Sequence, residues 1–125
     1  MSWDQASRTI EGDLDPHKIA ADIDRWGTDW AHKKHAADVL EKTTSATLAQ
    51  LTNEVRRQYP EMSRKEAEDQ AKGGQTYLDH LYAAADARRD SNLARVHYDA
   101  AMARFEALRS MEATRRTEMQ TLSRR

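Results

Sequence analysis

From Ile19 onward the apolar residues recur at spacings of three, four or their sums: Ile19, Ile23, Trp26, Trp30, Ala37, Leu40, Leu48, Leu51, Val55 and Tyr59. That period is the stripe of a helix that packs along its whole length. Asp15 followed by Pro16 supplies an N-cap and a proline at the first helical position. Pro60 closes the run, because the residue before a proline is pushed out of helical geometry. The pattern therefore predicts one long helix over residues 16–59, about 65 Å long at about 1.5 Å per residue. Polar residues interrupt the stripe near Lys33 and at Thr44. Gly27 costs about 1 kcal/mol relative to alanine. These three places are where a bend is expected.

After Pro60, Ser63 and Glu66 form an S-x-x-E capping box, which starts a short helix over residues 64–72. Gly73 and Gly74 end or kink it. A second long helix is predicted over residues 75–122. Its stripe is read as Leu78, Tyr82, Ala85, Leu93, Val96, Ala100, Ala103, Ala107 and Met111, widened by Tyr98, Met102, Phe105 and Leu108. Much of this seam is alanine, and small residues let two helix axes approach toward the low end of about 8–10 Å. The fold class expected is all-α: two long antiparallel helices joined by a short helical elbow. Residues 1–12 form a loose arm and residues 13–125 a single helical-hairpin domain. Two such helices bury only one face each, so a homodimer that completes an elongated, coiled-coil-like bundle is expected.

Composition narrows the choice further. Of the 125 residues 33% are charged and 6% aromatic, with 4 glycines and 2 prolines, and the mean hydropathy is -0.96. These values fit long helices and a shared core better than a spherical one. The chain has no cysteine, hence neither a disulfide framework nor a thiolate metal site. No apolar run approaches the roughly 18 residues that span a bilayer, and no secretory leader is seen. A cytoplasmic protein without membrane contact is expected. Residues 1–80 carry 11 basic and 15 acidic side chains, and residues 81–125 carry 9 and 6. This asymmetry favours antiparallel contact between the halves and is too mild for a nucleic-acid tail.

Little in the sequence points to catalysis. Asp29, His32 and His35 share part of a helix face, but a bundle metal centre needs Glu-x-x-His on two helices and further carboxylates, so no metal is assigned. With no nucleophile elbow and no phosphate-binding glycine loop, no catalytic residue, cofactor or small-molecule ligand is assigned either. Trp3, in the polar arm, and Trp26 and Trp30, one turn apart, are the candidate partner-binding residues, because tryptophan is enriched at interaction hot spots. The last helix is rich in arginine. Glu106 lies three residues before Arg109, and Glu112 lies three and four before Arg115 and Arg116, which are intrahelical pairing distances. Arg115, Arg116, Arg124 and Arg125 remain the candidate contacts for a weakly held nucleic acid.

The elbow MSRKEAEDQA, the following Tyr77 and the run RSMEATRRTEM from Arg109 to Met119 resemble small helical proteins encoded by tailed bacteriophages and prophages. The similarity covers roughly residues 60–120. It implies a product of the phage DNA recombination and replication region, working in a bacterial host. The partner implied is a recombinase, a nuclease, single-stranded DNA or a host defence factor, and no active residue carries over. The function expected is non-catalytic protein binding, with DNA binding through the arginine-rich last helix as the alternative.

Overall fold

The structure is a computed structural model and describes residues 14–124. Of these residues 90% are helical and none is in a strand, so the all-α class holds. Four helices follow one another: α1 Pro16–Lys42, α2 Thr44–Gln58, α3 Arg64–Lys72 and α4 Gln75–Ser123. The expected arm over residues 1–12 lies outside the described residues.

The helix ends follow from local chemistry. The Asp15 carboxylate accepts from the His17 amide at 3.0 Å, and Pro16 opens α1 without needing a donor. The Ser63 hydroxyl accepts from the Glu66 amide at 3.2 Å, which is the N-cap half of the expected box. Gly73 ends α3 with φ -83° and ψ -6°. No glycine among the described residues has positive φ, so this turn does not draw on the freedom peculiar to glycine.

The single helix expected over 16–59 is two helices, parted at Thr43. The cause is a cluster of hydroxyls that bond back to the preceding turn. Thr43 Oγ1 donates to the Val39 carbonyl at 2.8 Å and Thr44 Oγ1 to the Leu40 carbonyl at 3.0 Å. Such bonds compete with the backbone ladder and bend helices. The polar gap at Thr44 was thus a true marker of a break. At Lys33 and Gly27 the helix α1 is continuous. A Cβ at Gly27 would meet the Tyr98 ring at 3.3 Å, so the glycine serves a close approach.

The chain divides into two compact units, Met1–Trp30 with Leu93–Arg125, and Ala31–Asn92. In the first, α1 and α4 run antiparallel: Arg104 Nη2 reaches Asp22 Oδ2 at 3.4 Å, and further along α1 Trp26 stacks on His97. Ile19, Ala94 and Ala101 form its buried floor. In the second, α1 and α4 are again antiparallel, with Arg88 against Asp38 and Glu41 and His80 against Leu40 and Thr44. There α3 packs on α2, burying Ala67, Ala71 and Thr52.

The inner face of α4 differs from the predicted stripe. Buried or half-buried residues alternate at spacings of three and four: Tyr77, His80, Ala84, Ala87 and Ser91 in one unit, and Ala94, Tyr98, Ala101, Phe105 and Leu108 in the other. This is a heptad seam of small residues and aromatics. The predicted stripe lies largely on the opposite side. Tyr82, Leu93, Val96 and Met111 are 65%, 54%, 62% and 56% exposed, and Ala85, Ala100, Ala103 and Ala107 are exposed too. Their hydrophobicity outweighed that of Ala84, Ser91, Ala94 and Ala101, which are buried because small side chains let α1 come close.

Candidate partner-binding surface

Within the first unit, α4 presents two faces to its surroundings. Ala101 points to the α1 side and is fully buried, while Ala103, two residues on and about 160° around the helix, is exposed. Leu93, Val96, Ala100, Ala103 and Ala107 continue this outer face at spacings of three and four. Among the described residues nothing covers it.

The edges of that face are charged and locally tied. Arg95 pairs with Asp99 at 3.7 Å, Arg109 with Glu106 at 3.4 Å, and Arg104 with Asp22 across to α1. The exposed pairs add little stability. They border a strip whose middle is the methyl groups of Ala100, Ala103 and Ala107.

The tryptophans singled out above are placed on the inner side. Trp26 stacks on His97 with centroids 4.2 Å apart and planes at 17°, and the Arg25 guanidinium lies 4.7 Å from its ring. Trp30 meets Tyr98 at 5.5 Å, with Arg95 5.9 Å from its ring. Both are half-buried against α4 of the same unit. Trp3 lies outside the described residues.

From Arg109 to Arg124 every side chain is exposed. This end of α4 runs on with no packing from the rest of the described chain. Arg115, Arg116 and Arg124 stand here, and Arg125 lies outside the described residues. The pairing expected of Glu112 with Arg115 and Arg116 is not formed, and these arginines make no ion pair among the described residues. Met119 and Leu122, 62% and 67% exposed, belong to the same stretch. They escaped the apolar stripe because Arg115 interrupts it.

Two polar clusters hold the second unit. Arg88 donates through Nε and Nη2 to both oxygens of Glu41 at 2.8 Å and through Nη2 to Asp38 at 2.6 Å. These hydrogen bonds, aided by the guanidinium charge and opposed by burial, hold both carboxyls below their ordinary range. His80 Nε2 lies 2.8 Å from the Leu40 carbonyl and 3.1 Å from Thr44 Oγ1. The carbonyl contact requires the donating tautomer. His80 thereby supplies a donor where α1 and α2 part.

No group of three or more metal-ligating side chains converges among the described residues, and Asp29, His32 and His35 are not brought together into one. A cleft of about 420 Å³ lies between α2, the end of α3 and the start of α4, lined by residues that include Leu51, Val55, Gln70 and Gln75. Its lining also holds the Glu54 carboxylate and the Thr76 hydroxyl. Among the described residues no helix is long and apolar enough to cross a membrane. No protein-family model, curated protein or solved structure matches the chain.

Proposed function

We propose that this chain is a non-catalytic helical binding protein whose outer α4 face, Leu93 to Ala107, receives an amphipathic helix of another protein. The observation that carries this reading is the exposure of a second apolar stripe on a helix already packed along its inner face. Helix-in-groove recognition uses anchors at such spacings. Alanine hollows between Asp99 and Glu106 on one border and Arg104 on the other call for a partner helix with bulky aliphatic or aromatic knobs.

The resemblance of residues 60–120 to small phage proteins supplies the setting: a bacterial cytoplasm, and as partner a recombinase, a nuclease or a defence protein. Assembly of two copies into an elongated bundle belongs to the same proposal. The second reading, direct DNA binding, is favoured by one observation, that Arg115 and Arg116 are exposed and make no ion pair among the described residues. Net positive charge there is small, since Glu112 and Glu118 lie close by in sequence, so few counterions would be released on binding.

The test is affinity capture from a phage-bearing bacterial host, followed by binding of the purified partner to wild type and to Ala103→Glu. Loss of affinity by on the order of 100-fold in the variant, with helicity unchanged, supports the reading. A partner indifferent to Ala103→Glu, or a sub-micromolar and steeply salt-dependent complex with DNA, overturns it.

A further inference from the structure

The end of α4 has a symmetry that its hydrophobicity hides. About Arg115, Glu112 and Glu118 stand three residues away on either side, Met111 and Met119 four, and Leu108 and Leu122 seven. At about 100° per residue, Leu108, Met111, Arg115, Met119 and Leu122 fall within an arc of about 80°, with the two glutamates about 60° to either side of Arg115. The stretch therefore reads the same in both directions along one face: leucine, methionine, glutamate, arginine, glutamate, methionine, leucine.

That order suits a two-fold antiparallel contact, in which residue i meets j and j meets i, by setting apolar side chains against apolar ones on both sides of the centre. We propose that residues 108–122 pair with the same residues of a second copy of this chain, antiparallel, with the two-fold axis at Arg115. Leu108 of each copy meets Leu122 of the other, and Met111 meets Met119. The two Arg115 side chains lie at the centre, each within reach of glutamates of the opposite copy, so that four carboxylates surround two guanidiniums. In either orientation each Arg115 comes within reach of Glu112 and Glu118 of the other copy, and the antiparallel one also sets the two helix dipoles in opposition.

Two further observations bear on a partner here. Leu108 is half-buried, and from Arg109 onward the segment is exposed, including Met111, Met119 and Leu122. It also carries hydroxyl side chains that offset part of the helix propensity of its Leu, Arg, Met, Glu, Ala and Gln residues. Thr114, Thr117 and Thr121 are β-branched, and their hydroxyls and that of Ser123 bond back to the carbonyls of Ser110, Ala113, Thr117 and Met119 at 2.8–3.0 Å. Such residues weaken a helix that tertiary packing does not support. An open hollow between Met111, Thr114, Arg115 and Glu118 faces the place where Met119 of the other copy would seat. This contact is separate from the outer face at Leu93 to Ala107, and either can exist without the other.

The experiment uses the full chain, which has no cysteine of its own. Sedimentation at about 50 µM should report a dimer, with Met119→Glu weakening it on the order of 100-fold and Ala103→Glu leaving it unchanged. Under mild oxidation, Arg115→Cys alone should give a cross-linked dimer. Leu108→Cys alone and Leu122→Cys alone should not, whereas a mixture of those two should. A wild-type monomer at that concentration overturns the proposal. So does self-cross-linking of Leu108→Cys, which would mean a parallel pair, or a dimer that survives Met119→Glu and fails to cross-link through position 115. Should Met119→Glu lose its helicity, the cross-linking pattern decides alone.

Discussion

The Trp26 indole lies flat on the His97 imidazole, with centroids 4.2 Å apart. This stack ties α1 to α4 near the middle of the first unit and gives a large side chain a partner on a helix whose inner face is mostly small. Stacked aromatic pairs add about 0.5–1.5 kcal/mol beyond the area they bury. His97→Ala is therefore expected to destabilise the chain by about 1 kcal/mol and to shift the tryptophan emission. Urea unfolding followed by fluorescence checks it. A change below the error of the midpoint would mean that the stack contributes nothing.

Acid should loosen the second unit through Arg88. The carboxyls of Asp38 and Glu41 are held below their ordinary values of 3.8 and 4.5. A group with a depressed folded value contributes stability that is present above its unfolded value and is lost as pH falls through the folded one. Stability should thus be level above about pH 5 and decline as pH drops through the range of 4.5 and below. Arg88→Met removes the cause of the shift, and its stability should fall less between neutral and acid pH than that of wild type. Denaturant midpoints measured at a series of pH values make the comparison. Parallel profiles would contradict the assignment.

The glycines separate two roles that look alike in sequence. At Gly73 an added Cβ meets only backbone oxygens at 3.7 and 3.8 Å, and φ is ordinary. Gly73→Ala should stabilise by about 0.4–1 kcal/mol through the unfolded chain. At Gly27 the added Cβ meets the Tyr98 ring at 3.3 Å. Tyr98 is also held against Trp30, so overpacking should outweigh the gain in helix propensity and Gly27→Ala should lose about 0.5–2 kcal/mol. Thermal melts of the two variants should move in opposite directions.

Much of this architecture is legible in the sequence, and the exceptions have a common cause. The caps at Asp15 and Ser63, the stop at Pro60 and the turn at Gly73 and Gly74 are local chemistry and can be read from a few residues. The stripe from Ile19 to Val55 is made of large apolar side chains, which declare their face. The inner face of α4 is made instead of Ala84, Ser91, Ala94 and Ala101 with Tyr98 and Phe105 among them. Its burial comes from close approach rather than from hydrophobicity, so Leu93 and Val96 on the other side gave the stronger signal. At Thr44 the break could be anticipated from a gap in the stripe, but the donor that completes it, His80, comes from the opposite helix. Trp26 and Trp30 stand out by residue type, and their rings are half-buried against His97 and Tyr98. The residues that stand uncovered among those described are smaller and less conspicuous.

In the first unit α4 has an inner face that holds the fold and an exposed, apolar outer face, and Ala101 and Ala103 sit on the two sides. The most direct measurement is equilibrium unfolding of Ala101→Glu beside Ala103→Glu at one fixed protein concentration. Placing a carboxylate at the fully buried Ala101 should cost about 3 kcal/mol or more, and placing it at the exposed Ala103 should change stability by no more than about 0.5 kcal/mol. The reverse order, or an equal loss at both positions, would contradict the two-faced α4 and return the inner seam to the stripe of Leu93, Val96, Ala100 and Ala103.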